Sequence, residues 1–163
     1  MFCLPIADPV KSILLGAVLA TVAALPAFAA DIPGATSAPN ASERLVAARK
    51  AIEAKDWGKA MSELNQAVRE EPRNADVHNL LGYTYRKRAT PDISKAFEHY
   101  KTALSLNPKH KGAHEYIGEA YLIDKKPAEA QKHLGQLEAI CGNKTCEEYA
   151  DLAKALADYK AKN

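Results

Sequence analysis

An internal repeat constrains the fold of this chain more than any other feature of its sequence. From residue 41 a pattern of small and apolar residues returns three times, in segments 41–74, 75–110 and 111–144. The period is 34 residues, with a two-residue insertion in the second segment near Ala89–Asp92. A period in this range predicts a stack of similar helical units, each of which buries its apolar face against its neighbours.

The second segment carries the pattern most completely. Its recurring residues are Leu81, Gly82, Tyr85, Ala96, Tyr100, Ala103 and Pro108. This spacing resembles the tetratricopeptide repeat family over nearly all of residues 41–140, although Arg44, His78 and His114 replace the tryptophan that usually leads each repeat. The resemblance implies an all-α solenoid of three helix hairpins, namely repeat 1 (41–74), repeat 2 (75–110) and repeat 3 (111–144, with a degenerate end).

Local signals support this reading and place the helix ends. A glycine inside a helix costs about 1 kcal/mol relative to alanine, so we expect Gly82 and Gly118 to lie where the two helices of a hairpin approach closely. Asn40 and Glu43 have the spacing of a capping box, and Thr90-Pro91 predicts a cap followed by a first-turn proline.

The C-terminal residues predict a seventh helix. Thr145 and Glu148 have capping-box spacing, and four apolar residues then recur at helical intervals. We expect residues 145–163 to form a capping helix over the open end of the solenoid. The alternative is a helix that lies on a membrane surface, but its polar face mixes acids and bases.

The N-terminal residues predict export. A long apolar run follows Lys11 and ends in Ala27-Phe28-Ala29, a site of the kind that signal peptidase accepts. We therefore expect a secretory signal peptide at residues 1–29, cleaved near Ala29, and a periplasmic mature protein. An uncleaved membrane anchor is the alternative. Residues 30–40 are rich in Pro, Gly, Ser and Ala, which predicts a flexible linker.

Cleavage would remove Cys3 and leave Cys141 and Cys146 as the two thiols of the mature chain. In an oxidising compartment we expect a structural disulfide that pins the capping helix to repeat 3, with Gly142 as a left-handed helix C-cap. A redox-active pair and a metal site, for which only His133 is near in sequence, stay open. The alternative function is therefore a periplasmic thiol- or metal-handling factor that uses Cys141 and Cys146.

The remaining composition points away from catalysis and from nucleic acid. The net charge is +2, which is too small for the dense basic stripe that nucleic-acid binding requires. His110 and His114 are four residues apart, but they lack the acidic residue of a metalloprotease motif, and no phosphate loop or nucleophile elbow is present. We expect no enzyme, no cofactor and no metal.

The resemblance implies binding of an unidentified protein or peptide segment on the concave surface, lined by the first helix of each hairpin. An ordinary solvated face is the alternative. Some family members clamp a C-terminal carboxylate with basic and amide side chains. Arg49, Asn79 and Arg86 resemble that set loosely, but Glu115 and Glu119 stand where more positive charge is needed, so we do not predict the clamp. The candidate groove residues are Arg49, Asn79, Tyr83, Arg86, Lys87, Glu115 and Glu119.

Overall fold

The computed structural model describes residues 38–163, which are helical throughout apart from short connections, with no strand in that range. The signal peptide predicted at residues 1–29, and the predicted linker up to residue 37, lie outside the described residues. No helix in the described range is long and apolar enough to cross a membrane. The helices are α1 (Ala41–Glu53), α2 (Trp57–Glu70), α3 (Ala75–Lys87), α4 (Ile93–Leu106), α5 (Lys111–Ile123), α6 (Pro127–Cys141) and α7 (Glu147–Lys162).

The helices form three consecutive hairpins, α1–α2, α3–α4 and α5–α6, and each hairpin packs on the next one along the chain. The first helices also contact one another, α1 with α3 and α3 with α5, and α7 contacts α5 in the same way. The second helices of the described hairpins make no such mutual contacts. The stack therefore curves, with α1, α3, α5 and α7 on its concave side and α2, α4 and α6 outside.

Two of the predicted local signals are confirmed. The Asn40 side chain accepts a hydrogen bond from the Glu43 backbone at 3.0 Å, and the Glu43 carboxylate accepts one from the Asn40 backbone, which completes a capping box. Gly142 ends α6 in the left-handed region, with φ at 70°. A glycine tolerates this conformation because it has no Cβ atom to clash with the backbone.

Two other signals were wrong. Helix α4 begins at Ile93 with Asp92 as its N-cap, so the Thr90-Pro91 pair lies in the connection that the insertion lengthens. Helix α7 begins at Glu147 rather than 145, and its N-cap makes no side-chain hydrogen bond. The reason is local: both the backbone and the hydroxyl of Thr145 donate to the Asn143 side chain, so this threonine stabilises the loop.

The glycine prediction is confirmed for one position and corrected for the other. A Cβ atom at Gly82 would lie 2.6 Å from the ring of Tyr100, which is on the second helix of the same hairpin and fully buried. A Cβ atom at Gly118 would instead lie 2.6 Å from Leu152 of α7. Gly118 therefore makes room for the capping helix, which buries Leu152 and Leu156 against α5 and α6.

Candidate functional site

All seven predicted groove residues lie on the first helices of the hairpins. Arg49 is on α1, four of the residues are on α3, and Glu115 and Glu119 are on α5. Arg49 and Lys87 are exposed at the rim, whereas Asn79, Arg86 and Glu115 are buried, with exposures of 6–8%. The structure therefore brings the seven residues to one face, but it divides them into accessible and enclosed groups.

Arg86, one of the candidate groove residues, is held by other side chains of the protein. Its Nη1 lies 2.6 Å from a Glu119 carboxylate oxygen, and its Nε donates to the Tyr100 hydroxyl at 3.2 Å. The guanidinium also lies over the rings of Tyr83 and Tyr116, at 5.3 and 5.5 Å from their centroids. Because Glu119 already matches its charge, we expect Arg86 to hold the groove together rather than to pair with a partner's carboxylate.

Aromatic rings form the middle of the groove. Tyr83 and Tyr116 lie 4.8 Å apart between ring centroids, and Trp57 lies 6.4 Å from Tyr83. A pocket of about 180 Å³ adjoins these tyrosines and is also lined by Arg49, Ile52, Glu53 and Leu80. Aromatic and aliphatic surface of this kind provides contact area for an extended chain.

A second, more enclosed cleft of about 280 Å³ continues the groove between α3, α5 and α7. Asn79, Glu115 and Asp151 line it from these three helices, and they follow one another at equal intervals of 36 residues. Helix α7 thus occupies the position that the first helix of a fourth hairpin would take. The complete lining is Arg49, Asp76, Asn79, Leu80, His110, Gly112, Glu115, Tyr116, Glu147, Glu148 and Asp151.

The cleft is acidic, and part of its charge is unmatched. Asp76 accepts a hydrogen bond from His110 Nε2 at 2.9 Å and lies 3.9 Å from Arg49, while Glu148 pairs with Lys111. The other three acids, Glu115, Glu147 and Asp151, form no ion pair within residues 38–163.

Two polar groups of the cleft, on Asn79 and Glu115, are buried without a partner from the described residues, which destabilises the folded chain. Asn79 Oδ1 is buried without a hydrogen-bond partner in the described part of the chain. Burial raises the pKa of Glu115 to about 8, and the neighbouring Glu119, Asp151 and Glu148 raise it further. Burial among other acids therefore favours the protonated form of Glu115 over its carboxylate. Buried polar groups in a cleft that lack partners are candidates for ligand contacts.

His110 lines the cleft, whereas the other four histidines pair with one another between the helices of a hairpin. In repeat 2, His78 Nδ1 lies 3.1 Å from His99 Nδ1, and His78 Nε2 lies 3.0 Å from the Pro72 carbonyl oxygen. Because a carbonyl only accepts, His78 donates from Nε2 and accepts at Nδ1, and His99 is the donor within the pair. Repeat 3 has the same arrangement, with His114 and His133 at 2.9 Å and His114 at 3.0 Å from the Pro108 oxygen.

The two cysteines of the turn before α7 are joined by a disulfide, which links the end of α6 to the N-cap of α7. With Glu148 they form the one group of possible metal ligands that converges among the described residues. His133, the histidine that the sequence placed nearest, is occupied by His114. Because both sulfurs are bonded to each other, neither is available as a thiolate ligand in this state.

The sequence analysis missed the contribution of α7 to the cleft. Glu147, Glu148 and Asp151 come from a helix that was assigned only a capping role. In the structure, α3, α5 and α7 begin at residues 75, 111 and 147, again at intervals of 36 residues. Extending the 34-residue period of the sequence would have placed Tyr149, rather than Asp151, beside Glu115, so the sequence pattern alone did not identify this residue.

A larger pocket of about 490 Å³ lies between the start of α2 and the α3–α4 connection. Its lining includes Trp57, Met61 and Arg88, and it contains neither of the two buried side-chain atoms without partners, which belong to Asn79 and Arg86. Size alone does not identify a binding site, so the groove is the stronger candidate.

Comparisons with known proteins identify the fold. No protein-family model matches the chain, and no curated protein matches its sequence. Among solved structures, the first tetratricopeptide domain of Spaghetti (RPAP3), bound to the HSP90 peptide SRMEEVD, is similar with a TM-score of 0.64 and 16% identity, covering 75% of this chain and 94% of that chain. The TPR2B domain of yeast Sti1, in a complex with pHsp70, has a TM-score of 0.66 and 14% identity, with coverages of 76% and 98%.

The Sgt2 tetratricopeptide domain from Aspergillus fumigatus is similar with a TM-score of 0.65 and 20% identity, covering 77% of this chain and 80% of that chain. Together these likenesses show that the chain has the tetratricopeptide repeat fold, an all-α solenoid, as the sequence analysis predicted.

Proposed function

We propose that this chain, whose fold is that of tetratricopeptide repeat domains, is a non-enzymatic scaffold that binds a protein or peptide segment in its concave groove. The observation that carries the proposal is the pair of buried polar atoms on this face without partners, Asn79 Oδ1 and Arg86 Nη2. Within the described residues, these are the two fully buried side-chain nitrogen or oxygen atoms that lack a hydrogen-bond partner. A bound backbone or side chain would supply the missing partners.

The structural neighbours support the same class of function. The RPAP3 domain is bound to an HSP90 peptide, and the Sti1 domain is in a complex with pHsp70. An extended segment suits the groove here because rings of Tyr83 and Tyr116 lie along it and polar groups follow at one end. The aromatic residues provide contact area for a bound segment, and the polar residues fix its position along the groove.

Site-specific photo-crosslinking in the cells that make the protein tests this proposal. A benzophenone side chain replaces half-buried Tyr83 in the groove or, as a matched control, exposed Gln131 on the outer helix α6. We expect a discrete crosslinked polypeptide from position 83 and none from position 131. Equal products from both positions, or none from either, would contradict a groove-binding scaffold. Circular dichroism of both variants checks that they fold.

Export to the periplasm is the second part of the proposal. It rests on the apolar run and the Ala27-Phe28-Ala29 site, and the Cys141–Cys146 disulfide is of the kind that persists in an oxidising compartment. Mass spectrometry of the protein purified from its own cells should find a chain that begins at Ala30. A chain that begins at Met1 and fractionates with membranes would favour the uncleaved anchor.

Thiol or metal handling through Cys141 and Cys146 is the alternative function. It would first require reduction of the bond that the two sulfurs form. Replacing both cysteines by serine separates the two functions. A scaffold still binds its partner in the folded variant, with an affinity reduced only by the looser hold on α7, whereas a thiol or metal factor loses its activity altogether.

A further inference from the structure

We propose that the cleft between α3, α5 and α7 is a subsite for a basic side chain, the ammonium of a lysine or the guanidinium of an arginine, carried by the segment that the groove binds. This inference rests on the proposed function, because it names the chemistry of the groove's ligand. The cleft, at about 280 Å³, falls just below the range of about 300–1,000 Å³ typical of small-molecule sites. It therefore suits one long side chain better than a cofactor.

The first argument is a hydrogen-bond acceptor in the cleft, the side-chain oxygen of Asn79, that is unpaired within residues 38–163. Asn79 is 6% exposed, lines the cleft, and leaves Oδ1 without a partner in the described residues. An unpaired acceptor of this kind costs about 1–3 kcal/mol of stability. A ligand that brings N–H donors would remove this cost, whereas a carboxylate, which only accepts, would not.

The second argument is the set of carboxyl groups in the cleft that lack partners in the described chain. Glu115 is 8% exposed, and within residues 38–163 its carboxyl group forms neither an ion pair nor a hydrogen bond. Asp151 and Glu147 line the same cleft without an ion-pair partner in that range. A cation placed among these groups would let Glu115 ionise, because an opposite charge favours the charged form.

The basic side chains that lie near the cleft already pair with acidic side chains. Arg49 and His110 are both directed at Asp76, and Lys111 pairs with Glu148. Within residues 38–163, the basic side chains that line the cleft are therefore already paired, and none of them matches Glu115, Glu147 or Asp151. An acidic ligand would meet repulsion at this end of the groove, and a basic one would meet complementary charge.

A metal ion fits the cleft less well than an organic cation. Within the described range, no three carboxylate or imidazole groups of the cleft bring ligand atoms within 4.8 Å of one another. Divalent cations require several oxygen ligands close together, at about 2.0–2.6 Å from the ion. A side-chain ammonium or guanidinium needs only a few acceptors, spread over a wider shell.

The cleft is continuous with the aromatic part of the groove. Arg49, Leu80 and Tyr116 line both the cleft and the neighbouring pocket that Tyr83 adjoins. One extended segment that lies across the tyrosines therefore reaches the acidic end with a side chain a few residues along. The basic residue should accordingly stand at a constant distance from an apolar residue in every segment that binds.

Selection from a library of short randomised segments, displayed between constant glycine-serine flanks, tests the subsite. The flanks exclude a free terminal amine as the source of the charge. We expect the folded protein to enrich segments with lysine or arginine at one position relative to an apolar residue. A selected segment should bind Glu115→Gln and Asp151→Asn about tenfold more weakly than the unmodified protein. Replacing its basic residue by norleucine should have a similar effect.

Glu98→Gln is the matched control, because Glu98 is an exposed acid on outer helix α4 without an ion pair in the described chain. It should leave the affinity unchanged. Enriched segments that lack a basic residue, or equal weakening by Glu98→Gln, would overturn the subsite while leaving the groove as a binding site. Failure to enrich any segment with a folded protein would overturn the proposed function, and the subsite with it.

Discussion

Neighbouring residues on the same helices face two different environments. His78 and His114 face the outer helix of their own hairpin, and each ring has a partner at both nitrogens. Asn79 and Glu115, the next residue in each case, face the concave cleft, and neither has its polar groups matched there. Burial is similar on the two sides, at 6–9% exposure. The comparison teaches that buried polar groups of similar exposure differ in their pairing, and this difference is the reason for proposing that the cleft side binds a ligand.

We call the side of His78 and His114 the paired side, and the side of Asn79 and Glu115 the cleft side. The paired side is stabilised by different residues in different repeats. In repeat 1, Arg44 occupies the position of His78 and His114, and it pairs with Glu63 and Glu70 of the outer helix at 3.2 and 2.9 Å. Repeat 1 thus uses an ion pair where repeats 2 and 3 use two neutral imidazoles. The cleft side has no equivalent solution within the described chain.

Removing a histidine from the paired side should cause the largest loss of stability. His114→Ala removes the acceptor of His133 and the donor to the Pro108 carbonyl, and it leaves a cavity beside α6. We expect the free energy of unfolding to fall by about 2–4 kcal/mol. Urea denaturation followed by circular dichroism measures this change.

Asn79→Ala is the matched variant on the cleft side. It removes an oxygen that has no partner, so we expect a change in the free energy of unfolding below about 1 kcal/mol. Equal losses in the two variants would show that the cleft side is as structural as the paired side.

The sequence predicted the fold well because its signals are local or periodic. Gly82 marks the contact with Tyr100, and the 34-residue repeat with its two-residue insertion predicts the three hairpins. The pairing of polar groups could not be predicted in this way, because it depends on contacts between helices. Arg86 has the sequence features of a groove cation, and only the structure shows that Glu119 and Tyr100 hold it.

Removing the disulfide should affect the cleft side and leave the paired side intact. Replacing Cys141 and Cys146 by serine frees the turn before α7, the helix that supplies Asp151 and Glu148 to the cleft. The chain-entropy estimate for a loop this short gives a loss of about 2 kcal/mol in stability. We expect binding of a selected basic segment to weaken as well, because α7 is less firmly held.

The histidine pairs of repeats 2 and 3 should remain intact in this variant. Ring proton resonances in NMR spectra report on them directly. Loss of the His78–His99 signals together with those of the cleft would show that the disulfide stabilises the whole stack rather than its end.

Acid should weaken the paired side of repeats 2 and 3. Burial lowers the pKa values of His99, His114 and His133, the last to about 4 from an ordinary value of 6.5. The unfolded chain therefore binds more protons than the folded chain between these values. The stability contributed is present above pH 6.5 and is lost as the pH falls towards 4. Because the rings are partly exposed, we expect a loss of about 1–2 kcal/mol.

A double variant, His114→Gln with His133→Gln, isolates this effect from the protonation of carboxylates. Glutamine side chains also donate and accept, but they do not titrate in this range. Thermal melting temperatures measured from pH 7 to pH 4 should fall less steeply in the variant. An identical slope would mean that the histidines do not contribute to acid sensitivity.

The cleft side should respond to pH with the opposite sign and the smallest effect. The pKa of Glu115 is raised to about 8, so the folded chain keeps a proton that the unfolded chain releases near 4.5. The stability contributed is present below pH 4.5 and is lost as the pH rises through 8. We expect about 1 kcal/mol, because water in the cleft screens the charge. The charged and titratable groups that face Glu115 are Arg49, Asp76, Arg86, His110, Tyr116, Glu119, Glu147, Glu148 and Asp151.

Glu115→Gln should therefore gain stability relative to the unmodified protein between pH 5 and pH 8.5, as measured by urea denaturation at each pH. A bound basic segment should reverse the trend, because its cation allows Glu115 to ionise and so makes the unmodified protein the more stable of the two complexes at high pH. This reversal is specific to an unmatched group that takes a ligand. A carboxyl group buried only for packing would give the same pH slope with and without the segment.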